Sequence, residues 1–142
     1  MQLTLQQARD IIKVALAKAA DMGLKPLTVA VLDGGGALVA LERTDGSSRM
    51  RPDIAIGKAN GAIALGMGSR AIFNRAQEQP YFIQSMNALA GGVLVPVPGG
   101  VLIRGEDGRI VGAVGITGDS SDNDETCAVA GIQSIGLVAD GG

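Results

Sequence analysis

Two short apolar runs, Leu27–Leu32 and Ala37–Leu41, are separated by Asp33-Gly34-Gly35-Gly36. Residues tolerant of positive φ turn a chain back on itself within a few positions, so the segment reads as an antiparallel hairpin. The same pattern returns later in the chain. Val93–Val97, Val101–Arg104 and Arg109–Ile116 read as three more strands, the last two joined at Glu106-Asp107-Gly108, and an antiparallel meander is expected.

Helical signals fill the space between these runs. Thr4 and Gln7 have capping-box spacing, and Ala8, Ile11, Ile12, Ala15, Leu16 and Ala19 then recur with helical period until Gly23. Pro52 suits the first turn of a second helix through Ile56, Ala59, Ile63 and Leu65, stopped by Gly66 and Gly68, with Asp53 near its positive end. Arg70–Gln77 and Phe82–Leu89 read as two short helices divided by Pro80. Ser120 or Asp122 caps a last helix whose face of Cys127, Ala128, Ala130, Gly131, Ser134 and Ile135 is built of small residues. Helix, two strands, helices, three strands and helix make an α+β fold: a five-stranded antiparallel sheet with helices packed on it, segregated to one side.

A chain of 142 residues is the usual size of one domain, so 1–142 is read as a single unit with one core. Apolar residues make up 46% of it, but only Phe73, Phe82 and Tyr81 are aromatic, so Ala, Val, Ile and Leu must fill that core. A net charge of −2 without a basic block gives no footprint for nucleic acid or an anionic membrane. Cys127 is the only cysteine, which excludes an intrachain disulfide and any thiolate metal cluster. There is no leader pattern and no long apolar span, and a cytoplasmic location is expected.

Three segments, TVAVLDGGGALVALER, PDIAIGKANGA and GGVLIRGEDGRIVGAVGITGDSSDNDETCAVAGI, together resemble the GlcG-like, HbpS-type family, which includes the PduO C-terminal domain. The resemblance implies a profilin- or PAS-like architecture, dimers that assemble further, and a small molecule or heme held between subunits. It also implies an accessory place beside catabolic genes for glycolate, diols or aromatic compounds. Two departures stand out. The chain has no histidine, the residue on which heme-binding members usually rely, and Gly99-Gly100-Val101-Leu102 replaces the frequent Gly-Gly-Val-Pro, the proline moving to Pro98. The absence of histidine argues against heme coordination; Met50, Met67 and Tyr81 are the remaining candidate axial ligands.

The candidate chemistry gathers in three places. Backbone amides at Gly99 and Gly100 are placed to approach a ligand oxyanion, next to Pro98 at a strand entry. Arg51 can clamp a carboxylate bidentately and Lys58 can add a point charge. Thr117 ends a strand leading to Asp122, Asp124 and Glu125 at the start of the last helix. Glu125, withdrawn from water, is the first candidate proton carrier, with Asp124 beside it, while helix capping is the plain alternative. No Ser-His-Asp or Cys-His set can exist without histidine, and no phosphate-binding glycine fingerprint occurs. Two readings follow: a small-molecule-binding, self-associating accessory protein, or a cofactor-independent isomerase or lyase acting on a small organic acid, with no metal in either.

Overall fold

The computed structural model describes residues 1–142. In chain order the elements are α1 (Leu5–Asp21), β1 (Thr28–Asp33), β2 (Leu38–Arg43), α2 (Arg51–Leu65), α3 (Ser69–Glu78), α4 (Pro80–Leu89), β3 (Gly100–Arg104), β4 (Ile110–Thr117), α5 (Ser121–Ser134) and β5 (Val138–Asp140). The strands form one sheet in the order β2-β1-β4-β3-β5, every neighbouring pair antiparallel.

Local signals account for most boundaries. The Thr4 side chain accepts from the Gln7 amide at 3.1 Å while Gln7 reaches back to the Thr4 amide at 3.0 Å, the reciprocal cap that fixes the start of α1. Gly66 ends α2 at φ 68°, a conformation open to glycine at no steric cost. Ser120 caps α5 through the Asn123 amide.

The sheet carries helices on both faces, not on one side as the element order suggests. Alternate residues Val29, Val31, Val101, Ile103, Val114 and Ile116 meet α1 and α5 through Ile11, Ala15, Cys127 and Ile132. The opposite residues, Leu32, Leu102 and Ala113, meet α2 through Ala59 and Ala62. Thr28 to Leu32 is buried throughout, and such a run without polar alternation is the pattern of a strand covered on both sides.

Val93–Val97 is not a strand. Pro96 and Pro98 cannot donate to a ladder, and the segment instead crosses α2, where the Val95 amide donates to the Gly57 carbonyl at 3.1 Å. Gly57 and Gly61 let it lie flat: a Cβ at Gly57 would stand 2.6 Å from Val95 and one at Gly61 3.0 Å from Leu94. The fifth strand is β5, paired with β3 and held by Arg104 Nε on Asp140 at 2.8 Å. The meander of three late strands is therefore corrected to β3 and β4, with β5 returning after α5.

Candidate functional site

The site lies where β4 ends and α5 begins, under the first two turns of α2. Arg51 and Lys58 stand about two helical turns apart on the face of α2 that looks at this junction. Arg51 Nη1 donates to the Thr117 hydroxyl at 2.7 Å. Lys58 Nζ donates to the Ile116 carbonyl at 2.9 Å and to Asp124 at 3.3 Å. One end of β4 thus anchors both cations.

Lys58 is 2% exposed and Asp124 1% exposed, so the ion pair is inside the molecule. The other Asp124 oxygen accepts the Asp119 amide at 3.1 Å, which ties the β4–α5 connection to the same carboxylate. Burial pushes the Lys58 pKa down and Asp124 opposes that shift, while the Arg51 charge adds to it. Burial pushes the Asp124 pKa up, opposed by Lys58. Burial thus weakens the charged form of each partner, and each partner's charge opposes that effect on the other.

Gly99 and Gly100 serve this arrangement through what they lack. A Cβ at Gly99 would stand 2.8 Å from Lys58 Nζ, and one at Gly100 would run into the Lys58 carbonyl. The Gly100 amide is already committed to Ser69 Oγ at 2.7 Å, so the oxyanion-binding role expected of that amide is not open to it. These glycines let β3 close over α2.

Glu125 is not the withdrawn carboxylate. It is 21% exposed and lies on Arg70, whose Nε reaches both its oxygens; Arg70 also holds Asp122. Asp124 takes the interior place because it points at the sheet, toward Lys58, while Glu125 is turned to α3. Asp119 accepts from the Lys25 and Ser120 amides and from the Asn123 side chain, which holds its pKa down to about 2. Asp122 and Glu125 share Arg70, Asp124 pairs with Lys58, and no group of three gathers for a metal ion.

Beside the Arg51–Thr117 contact opens a cleft of about 190 Å³ lined by Lys25, Pro26, Gly46, Ser47, Ser48, Arg51 and Gly118. Its wall holds no hydrophobic residue. Arg51 forms none of the ion pairs of the molecule, which join Lys58, Arg70, Arg104 and Arg109 to acids. Lys25, Ser47 and Ser48 carry no motif that marks them in the sequence. The antiparallel pairing of Thr28 with Thr117 brings them in, since Thr28 donates to Ser47 Oγ at 3.2 Å. A second cleft, of about 330 Å³, is bounded by Arg70, Phe73, Val97, Pro98, Ser120, Ser121 and Asp122 on the other side of the α5 start.

A single antiparallel sheet layered between helices places this chain in the α+β class. Residues 3–133 match the family described as haem degrading protein HbpS-like. The chain belongs to that family. A Citrobacter freundii relative, an uncharacterized 15.0 kDa protein in the dhaT-dhaS intergenic region, is 28% identical over 128 residues, covering 89% of this chain and 87% of the relative. HbpS of Streptomyces reticuli, solved as a double mutant, is similar with a TM-score of 0.81 and 26% identity over 95% of this chain and 88% of that one. PduOC, solved as a heme complex, superposes with a TM-score of 0.85 at 22% identity, over 96% of this chain and 97% of that one.

The family description raises heme, and the residues here do not fit a heme held by an axial side chain within one chain. Histidine is absent. Cys127 is buried in the main core and burial pushes its thiol up to about 11, away from the thiolate that ligates iron. Met67 packs against the small core of Ile72, Ile83 and Leu94. Met50 and Tyr81 are exposed and line no cavity.

Proposed function

We propose that this chain is a small-molecule-binding member of the HbpS-like family that holds a small organic carboxylate in the Arg51 cleft. The observation that carries the reading is Arg51 itself: a guanidinium fixed by Thr117, in no ion pair, in a cleft lined by no hydrophobic residue. Such a fork matches a carboxylate in two parallel hydrogen bonds, and holding it in place beforehand lowers the ordering cost of binding. Lys58 stands behind it as a buried charge, and Gly99 and Gly100 act by letting Lys58 sit there.

The accessory, cytoplasmic role beside a catabolic pathway belongs to the same proposal. So does a ligand site completed by a second subunit. What supports self-association is the apolar surface left open: Met50 next to Arg51, Leu38 on the edge strand β2, and Tyr81 and Leu89 on α4. No helix is long and apolar enough to cross a membrane.

A thermal-shift screen of small hydroxy, oxo and unsaturated acids tests the reading, because a ligand of the native state raises the melting temperature. The wild type is expected to respond and Arg51→Ala is expected not to. An equal response from both would place the carboxylate elsewhere.

A second reading, proton transfer on a bound acid by a cofactor-independent isomerase or lyase, is favoured by one observation: the Lys58–Asp124 pair, whose pKa values are driven toward each other. Asp124, rather than Glu125, then moves the proton. Deuterium uptake at the carbon beside the carboxylate, followed by proton NMR in D2O, separates this reading from simple binding: exchange in the wild type and none in Asp124→Asn supports it.

A further inference from the structure

We infer that the Arg51 cleft takes a 2-oxo acid, its carboxylate on Arg51 and the oxygen of the next carbon on the hydroxyls of Ser47 and Ser48. The inference rests on the carboxylate reading above and sharpens it to one ligand class.

Charge sets the first limit. The wall carries two cations, Arg51 and Lys25; the Lys25 backbone amide holds Asp119, whose carboxylate three hydrogen-bond donors keep ionised near the Lys25 charge. Neither cation forms an ion pair, but Asp119 offsets part of the Lys25 charge, which leaves Arg51 as the seat for one negative charge. Donor balance sets the second limit. A guanidinium carries five N–H donors and the Thr117 contact is the one side-chain hydrogen bond Arg51 makes. The Ser48 hydroxyl makes none in the chain, and Ser47 Oγ, 7% exposed, shares one side-chain hydrogen bond, with the Thr28 hydroxyl. Arg51 and Lys25 can only donate, while the serine hydroxyls donate or accept, so the wall as a whole favours a ligand rich in acceptors. A 2-oxo group is a pure acceptor, whereas a 2-hydroxyl brings another donor that must find a partner.

Size and polarity set the third limit. A cleft of about 190 Å³ has room for roughly six water-sized groups at about 30 Å³ each. That is the span of a three- or four-carbon acid, far below a tetrapyrrole. With no large apolar side chain in the wall, an aromatic ring would gain little apolar burial. Arg51 is fixed from behind by Thr117, which is 2% exposed and is a positioning residue and not a ligand contact.

Isothermal titration of the full chain with pyruvate, lactate, propionate and inorganic phosphate tests the assignment. Pyruvate is expected to bind about tenfold more tightly than propionate, the span of one well-made hydrogen bond, and more tightly than lactate. Ser48→Ala leaves the Thr28–Ser47 bond intact and is expected to reduce that preference; Ser47→Ala is the companion variant. Arg51→Ala is expected to abolish binding of every acid. Propionate binding as tightly as pyruvate, or a preference untouched by both serine variants, overturns the 2-oxo assignment and leaves the carboxylate reading standing. Tightest binding of phosphate overturns it in favour of an inorganic oxyanion. No binding of any acid removes both.

Discussion

Lys58 Nζ and Asp124 Oδ2, brought together from 66 positions apart, meet at 3.3 Å inside the protein, with neither side chain more than 2% exposed. Taking two charges out of water offsets most of what their attraction returns, so the pair is weak evidence of stabilisation but a strong constraint on its neighbours. It fixes where β4 stops, how α5 starts and why β3 must enter on two glycines.

Removing one partner leaves the other charge buried alone. Lys58→Met or Asp124→Leu is expected to lose about 3–5 kcal/mol, and the double variant to recover most of it. Urea unfolding at neutral pH measures this, and additive losses in the double variant would mean that the two groups do not act as a pair.

The pH response of Lys58→Met has a definite sign. Burial holds the Asp124 pKa above its ordinary value, and without Lys58 nothing of opposite charge counters that shift. The native state then binds more protons than the unfolded state across the window between the two pKa values, so stability rises as pH falls through it. Relative to the wild type, this variant should therefore gain stability as pH falls from neutral toward the ordinary carboxylate range, seen as a rising urea midpoint. A midpoint that falls over that range contradicts the burial of an uncompensated Asp124.

Gly115 faces α2 so closely that a Cβ there would collide with the Ala55 carbonyl. Gly115→Ala is expected to lower stability by about 1–3 kcal/mol or more, since the backbone of α2 must shift. Gly108→Ala meets no neighbour and serves as the comparison, carrying only the strain of its φ of 81°. Equal melting temperatures for the two variants would deny the close approach of α2 to the sheet.

Hemin added to the protein is expected to give no saturable Soret shift, because the only thiol is in the core and no imidazole exists. A saturable shift that disappears in Met50→Leu or Tyr81→Phe would show that an exposed side chain ligates iron and would overturn this expectation.

Much of the architecture was legible in sequence because it rests on local chemistry. The cap at Thr4, the glycine stop at Gly66 and the turn at Asp33–Gly36 each act within a few residues. What was missed depends on distant contacts. Val93–Val97 has the composition of a strand, but Pro96, Pro98 and the glycines of α2 turn it into a strap. Val138–Asp140 is too short to announce itself and forms a strand because the edge of β3 is there to pair with. The site divides in the same way. Arg51, Thr117, Lys58 and Asp124 were chosen by residue type and motif, and the structure brings them to one junction. Two of their properties could not be read from spacing alone: that Asp124 rather than Glu125 is buried, and that the Gly100 amide belongs to Ser69. Lys25 and Ser47 reach the cleft only through the pairing of β1 with β4.

The most direct measurement is a crystal structure of the protein grown with a saturating three-carbon organic acid. The carboxylate oxygens should lie about 2.8 Å from the Arg51 nitrogens, as charge-assisted bonds do, with the Arg51–Thr117 contact kept. Ligand density in the cleft beside Arg70 and Phe73, with the Arg51 cleft holding only solvent, would contradict the account.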